Sequence, residues 1–204
     1  MDETVIAAQS SVTDLIFIFH GYGTDKNDMH PLGELFNKAI PNAEIHIPNG
    51  LELCPEGYGR SWFPMDEEMD DWGEELQKAT SEIMDYVDHV KNQHNFSYKN
   101  VIFTGFSQGA MISLTLGIHY DIKAVVSFSG ALLSPEVYVR PASTKVLITH
   151  GSEDDVIPPQ MAELSEGILR AGDVSNIETF ICQGVAHSIS ISQLERTVDF
   201  LKSL

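Results

Sequence analysis

The 204-residue sequence has few cysteines and no long apolar run. Its two cysteines, Cys54 and Cys182, are far apart and lack the spacing of metal ligands, so we expect two reduced thiols and no disulfide. No stretch is long enough to span a bilayer, and the N-terminus lacks the basic start and apolar core of a signal peptide. These absences predict a cytoplasmic protein without integral membrane association.

Basic residues are also scarce, with 12 Lys and Arg against 30 Asp and Glu and a formal net charge of -18. Such a charge opposes binding to nucleic acid, because the phosphate backbone is itself negative. Neutral or cationic substrates are favoured over polyanions. The acidic residues are concentrated in the run 66–75, which we interpret as a solvated face.

No stretch rich in Gly, Ser or Pro suggests a linker, so we predict one domain over residues 1–204. Strand and helix patterns alternate along the chain, which predicts a parallel sheet with helices on both faces and ligands at the carboxyl ends of the strands. The predicted strands are 4–8, 15–19, 44–47, 101–104, 123–128, 145–149 and 176–182. The predicted helices are 29–39, 74–90, one ending near 119, 160–171, and one capped by Ser190 or Ser192 and ending near 201.

One of these strands, 101–104, runs directly into the sequence Gly-Phe-Ser-Gln-Gly at 105–109 and then into a helix. This is the G-x-S-x-G pattern in the strand-to-helix context of a nucleophile elbow, with Ser107 as the nucleophile. On so tight a turn, side chains two positions before and after the serine would collide with the strand or the helix, so glycine is needed at both. The alternative is an ordinary strand-to-helix loop.

A catalytic serine needs a base and an acid, because its hydroxyl is a weak nucleophile at its own pKa. Among the eight histidines, only His187 lies between the last strand and the last helix. A carboxylate after the strand 145–149 completes the order serine, acid, histidine of α/β-hydrolases. Spacing alone leaves Glu153, Asp154 and Asp155 open as that acid.

Two backbone N–H groups are expected to bind the oxyanion of the tetrahedral intermediate. Gln108, directly after the serine, supplies one, and the sequence His-Gly-Tyr-Gly at 20–23 supplies the other through Tyr22. The alternative is that these glycines only permit a turn. The histidines and aspartates at 20–30 match no metal-ligand spacing, so we predict neither a metal ion nor a cofactor.

Residues 51–72 show no regular period, and so long an irregular stretch is either functional or disordered. It is the one stretch long enough to form a lid or a pocket wall. Its apolar residues are candidates for contact with an acyl chain, or they pack the loop onto the core. They are Leu53, Trp62, Phe63, Met65, Met69 and Trp72.

With these residues in hand, the sequence resembles the phospholipase/carboxylesterase family of α/β-hydrolases, which includes acyl-protein thioesterases and small carboxylesterases. The residues that carry the resemblance extend over nearly the whole chain: 19–23, 60–63, 105–110, His150 and Gly151 with Asp154 and Pro158, and Gly184 with His187 and Ser188. The resemblance implies an α/β-hydrolase fold without a separate cap domain. It also implies Asp154 as the acid, Tyr22 and Gln108 as oxyanion donors, and Trp62 beside the site.

The sequence thus predicts a serine hydrolase that cleaves carboxylic esters, and by resemblance thioesters, through an acyl-enzyme. The substrate is a small-molecule or lipid-like acyl ester. A more specialised alternative is a lysophospholipase or acyl-protein thioesterase. An alternative of another class is a binding protein that retains the fold without catalysis, although no member of the triad is missing. The sequence does not indicate an oligomeric state.

Overall fold

The computed structural model describes residues 1–65, 73–132 and 143–204. The strands are β1 (Glu3–Ile6), β2 (Asp14–Phe19), β3 (Ala43–Pro48), β4 (Glu52–Leu53), β5 (Arg60–Ser61), β6 (Val101–Phe106), β7 (Ala124–Phe128), β8 (Lys145–Gly151) and β9 (Ile177–Cys182). The helices are α1 (Lys26–Ala39), α2 (Gly73–Gln93), α3 (Gln108–His119), α4 (Gln160–Ala171) and α5 (Ile191–Lys202), with a 3-10 turn at Tyr98–Asn100.

Seven strands form one sheet in the order β1-β3-β2-β6-β7-β8-β9. All neighbouring pairs are parallel except β1 with β3 at the edge, where the strands are antiparallel. Parallel strands need crossover connections, and the alternating helices provide them. The predicted fold class, a mostly parallel sheet with helices on both faces, is confirmed.

The core has two layers, one on each face of the sheet. The helices α2, α3 and α4 contribute to one layer, with Ile83, Leu114 and Leu169 among the buried residues. The helices α1 and α5 contribute to the other, with Phe36 and Leu201. Central strands buried on both faces read as continuous apolar runs, which explains why their positions could be predicted from the sequence.

Two segments differ from the sequence prediction. The helix α1 begins three residues earlier than expected, because Asp25 accepts a hydrogen bond from Asn27 N while Asp28 completes a capping box. A helix that began at residue 29 would have Pro31 in its first turn, and this placement is wrong, since Pro31 is the sixth residue of the helix. Within the irregular stretch, β4 and β5 pair as a small antiparallel hairpin.

None of the helices in the described ranges combines the length and the apolarity that a membrane crossing requires. Cys54 and Cys182 are both buried free thiols. The acidic run falls mainly on residues 66–72, which lie outside the described residues, as do Met69 and Trp72.

Candidate active site

Ser107 lies on a strained turn between β6 and α3. Its φ of 55° and ψ of -117° fall in a region that L-residues rarely adopt. Although Ser107 is the N-cap residue of α3, its side chain makes no capping hydrogen bond. The hydroxyl is therefore not used to stabilise the helix, and the strained backbone presents it above the end of the strand.

The two glycines of the motif are required by close backbone contacts. A Cβ at Gly105 would lie 2.4 Å from the carbonyl group of Gly109, and a Cβ at Gly109 would lie 2.1 Å from the carbonyl oxygen of Phe19. Real Cβ atoms essentially never approach so closely. The first turn of α3 thus packs directly against the end of β2, where the loop 20–23 begins.

Hydrogen bonds between the strand ends bring the other site loops to the same edge of the sheet. Ser107 N donates to Phe128 O of β7 at 2.9 Å, and Ser129 N donates to Thr149 O of β8 at 2.9 Å. The loops after β8 and β9 are joined in turn, because Glu153 N donates to Val185 O at 2.9 Å. The residues that follow β6, β8 and β9 therefore converge.

Asp154 and His187 form a hydrogen-bonded pair at this edge. His187 Nδ1 lies 2.8 Å from Asp154 Oδ2, and the Asp154 side chain is fully buried whereas that of His187 is 17% exposed. The other carboxylate oxygen, Oδ1, accepts from Val156 N at 3.1 Å and Ile157 N at 2.8 Å. The neighbours Glu153 and Asp155 are exposed, so burial separates three carboxylates that spacing could not.

The hydrogen bonds keep Asp154 ionised in spite of its burial. Burial by itself raises the pKa of a carboxyl group, and it is the largest single influence here. The hydrogen bonds from His187 and from Ile157 N, together with the charge of His187, outweigh it and hold the pKa of Asp154 below its ordinary value of 3.8. An ionised Asp154 accepts a hydrogen bond from His187 Nδ1–H, so in the neutral ring Nε2 carries no proton and can accept one.

The imidazole of His187 lies beside the turn that carries Ser107. Its ring centroid is 4.8 Å from that of Phe106, the residue before the serine. Among the hydrogen bonds of the described residues, none joins the Ser107 hydroxyl directly to His187.

Tyr22 and Gln108 have free backbone N–H groups in the described part of the chain. Neither N–H donates to a described backbone or side-chain acceptor. Gln108 is fully buried, and a buried N–H without a partner is rare in folded proteins. A Cβ built on Gly21 would lie 3.4 Å from Ser107 Cβ, so the loop that carries Tyr22 lies against the serine. These features suit two donors that await an oxyanion.

The predicted substrate-binding residues differ in exposure. Trp62 and Phe63 are each only 1% exposed, and Phe19 packs edge-on against Trp62 with ring centroids 5.2 Å apart. Leu53 is 68% exposed, whereas Met65 is half-buried against the core. Of these four described residues, Trp62 and Phe63 are mainly core residues, and Leu53 offers a large exposed apolar surface.

The side chain of Gln108 explains the burial of Trp62 and Phe63. Its Oε1 accepts from Trp62 N at 2.9 Å, and its Nε2 donates to Phe63 O at 2.7 Å. Gln108, the residue after Ser107, thus fixes the segment that follows β5. In the described residues, no group of three or more His, Cys, Asp or Glu is arranged to hold a metal ion.

The sheet order and the loops at its carboxyl edge define an α/β-hydrolase fold. The structure superposes on the crystal structure of esterase PE8 with a TM-score of 0.88, at 29% identity over 98% of this chain and 97% of that one. In sequence the chain is 27% identical to esterase YpfH of Escherichia coli, over 92% of this chain and 82% of YpfH. It is 23% identical to acyl-protein thioesterase 1 of Kluyveromyces lactis, over 92% of this chain and 90% of that protein.

The model of the phospholipase/carboxylesterase family matches residues 1–204, and the chain belongs to this family. The resemblance that the sequence motifs indicated is therefore confirmed. Relatives named esterases and thioesterases agree with this family, and the chain is a hydrolase of the carboxylic-ester class.

Sequence reasoning did not predict specific contacts for two buried histidines. His20 directly follows β2, and His150 lies at the end of β8. His150 Nε2 lies 2.8 Å from Ile157 O and 3.2 Å from Asp154 Oδ2, so this ring borders the carboxylate that binds His187. His20 bonds within the loop that carries Tyr22. The available signal is that each histidine precedes a glycine at a strand end, a pattern that indicates a structural role in orienting a loop through hydrogen bonds.

Proposed function

We propose that the protein hydrolyses carboxylic esters through an acyl-enzyme formed on Ser107. His187 is the general base and then the general acid, and Asp154 orients its ring and stabilises the imidazolium. The observation that carries the proposal is the hydrogen bond of 2.8 Å between His187 and the buried Asp154, at the same sheet edge as a strained serine.

The reaction begins when Ser107 Oγ attacks the ester carbonyl carbon while its proton passes to His187 Nε2. The carbonyl oxygen becomes an oxyanion that the N–H groups of Tyr22 and Gln108 stabilise. The intermediate collapses, the bond between the carbonyl carbon and the leaving oxygen breaks, and His187 gives its proton to that oxygen, so that the leaving group departs as the alcohol. Water then attacks the acyl-serine with His187 as base, which releases the carboxylic acid and restores the serine. Neither a metal ion nor a cofactor takes part in these steps.

The substrate we propose is a neutral or cationic acyl ester, either a small molecule or a lipid-like one. The net charge of -18 disfavours polyanions, including nucleic acid. We propose that the chain acts as one domain, with 51–72 as a pocket wall in which Leu53 and Met65 contact the acyl chain. The burial of Trp62 and Phe63 supports a role for them in shaping that wall from behind.

Thioester hydrolysis is a second candidate, because the relative from Kluyveromyces lactis is an acyl-protein thioesterase and matches 92% of this chain. The same acyl-enzyme forms from either substrate, since the two differ in the leaving group alone. Parallel series of esters and thioesters, each extended over the same acyl-chain lengths, separate the two candidates. A lysophospholipid in the same series tests the third candidate, lysophospholipase activity.

The test of the proposed function is the activity of Ser107→Ala and His187→Ala on a short-chain aryl ester. Loss of nucleophile or base in serine hydrolases costs about 10⁶-fold in kcat, so both variants should be nearly inactive. Ser81→Ala, at an exposed position of α2, and His30→Gln, at a half-exposed position of α1, are matched controls outside the triad and should keep full activity. More than about one per cent of activity in Ser107→Ala would overturn the proposal.

A further inference from the structure

The carbonyl oxygen of Gly21 is held by an unusually complete set of hydrogen bonds. It lies 2.7 Å from His20 Nδ1, accepts from Thr24 Oγ1 at 2.8 Å, and accepts from Thr24 N at 3.3 Å. A carbonyl oxygen has two lone pairs, so these donors occupy its full capacity. The orientation of the peptide group between Gly21 and Tyr22 is therefore fixed.

The hydrogen bonds of His20 also determine which ring nitrogen carries the proton. Gly50 N donates to His20 Nε2 at 2.8 Å, so Nε2 must be the unprotonated nitrogen. The proton is then on Nδ1 and is donated to Gly21 O. Burial lowers the pKa of His20 below its ordinary value of 6.5, against a smaller opposing effect of the bond to Gly21, and this keeps the ring neutral.

The fixed carbonyl sets the direction of a proposed oxyanion donor. In a planar trans peptide the C=O and the following N–H point in opposite directions. With Gly21 O held by His20 and Thr24, the N–H of Tyr22 points to the other side of the peptide. Phe106 and Ser107 lie beside this peptide, since a Cβ on Gly21 would be 3.2 Å from Phe106 Cδ1 and 3.4 Å from Ser107 Cβ.

The same network reaches the second donor residue. Trp62 Nε1 donates to His20 O at 2.8 Å, and the Trp62 ring lies 5.0 Å from that of His20. The side chain of Gln108 in turn holds Trp62 N. Both N–H groups thus belong to one buried framework, and Trp62 is a link within it.

We propose that His20 and Thr24 are positioning residues for the oxyanion hole, which hold the Gly21 carbonyl so that the N–H of Tyr22 faces the oxyanion formed on Ser107. This inference rests on the proposed function. It extends that function because it gives His20, which follows β2, a role in positioning the oxyanion hole. Neither residue needs to touch the substrate.

The experiment compares Thr24→Val, His20→Leu and His20→Asn with the wild-type enzyme. Loss of one oxyanion donor costs about 10² to 10³ in kcat, so we expect a loss of that order in His20→Leu and about tenfold in Thr24→Val. KM should stay within about threefold. His20→Asn should retain more activity than His20→Leu, because the amide nitrogen of asparagine can replace Nδ1 as a donor to Gly21 O.

A trifluoromethyl ketone that forms a charged adduct with the serine supplies the second readout. Its inhibition constant should rise by the same factor as kcat/KM falls, because both depend on oxyanion binding. The matched control is Thr144→Val, which removes a comparable bond, from Thr144 Oγ1 to Ile122 O at 3.1 Å, beside the amino end of β8. Its kcat and inhibition constant should not change.

Thr24 is half-buried, so Thr24→Val decides the question even if the variants of the fully buried His20 do not fold. A folded Thr24→Val with unchanged kcat and unchanged inhibition constant, next to an inactive Ser107→Ala, would overturn the positioning role alone. An active Ser107→Ala would overturn the proposed function and the positioning role with it.

Discussion

Replacing Asp154 by asparagine tests whether this carboxylate sets the protonation of His187. The side chain would face the same four groups: Val156 N and Ile157 N at one oxygen, and His187 and His150 at the other. The carbonyl oxygen of asparagine must take the place of Oδ1, because an amide NH₂ there would meet two N–H donors. The NH₂ group then faces His187.

The consequence is a change of tautomer at the proposed base. An NH₂ group can only donate, so His187 Nδ1 would have to accept, and its proton would move to Nε2. A protonated Nε2 cannot take the proton of Ser107. A wrong tautomer of this kind costs about 10⁴ in kcat, or about 5.5 kcal/mol in activation free energy, with the fold intact.

The assay is steady-state hydrolysis of an aryl ester, with thermal melting to confirm that the variant is folded. Asp155→Asn is the matched control, since that neighbour is exposed and lies outside the hydrogen bonds to His187. We expect Asp155→Asn to retain wild-type kcat. An Asp154→Asn variant within about tenfold of the wild type, or an equal loss in Asp155→Asn, would refute the reasoning.

Two further predictions concern stability. Gly109→Ala should unfold the protein or displace α3, because its Cβ would meet Phe19 O. Gly167→Ala has open space at an exposed helix position, so it should raise the free energy of unfolding, measured by heat or urea, by about 0.5–1 kcal/mol. A stable Gly109→Ala would contradict this. Burial raises the pKa of Glu3, but its hydrogen bonds with His46 and Tyr86 hold that pKa below its ordinary value of 4.5. The ionised Glu3 therefore stabilises the folded protein above pH 4.5, and this stabilisation is lost as the pH falls through the lower pKa of the folded state. Glu3→Gln should therefore lower the free energy of unfolding at pH 7 by about 1–3 kcal/mol, which appears as a lower melting temperature. The difference in melting temperature between the variant and the wild type should disappear in acid. A difference that widens in acid would contradict the assignment.

The central strands and the serine turn could be predicted because local sequence determines them. Buried parallel strands have continuous apolar runs, and Gly105 and Gly109 are imposed by contacts a few residues away and by the end of β2. The candidate base His187 could be predicted from its place after the last strand. Apart from the contact of Gly109 with Phe19, these features need no knowledge of distant packing.

Other features depend on contacts between remote parts of the chain. Adjacent carboxylates at 153–155 have the same local context, and only the tertiary fold buries Asp154 against His187. The burial of Trp62 follows from its bonds to Gln108 and His20, which are 46 and 42 positions away. Spacing could not reveal them. The predicted start of α1 at residue 29 kept Pro31 in the first turn, whereas the capping box at Asp25 begins the helix three residues earlier with Pro31 inside it.

The most direct test of the central claim is mass spectrometry of the intact and digested protein after reaction with a fluorophosphonate probe. A nucleophile activated by His187 should give a single adduct, located on Ser107, with hydrolysis lost in proportion to labelling. His187→Ala should prevent the adduct. Labelling at another residue, or full hydrolysis by protein that carries the adduct on Ser107, would contradict the account.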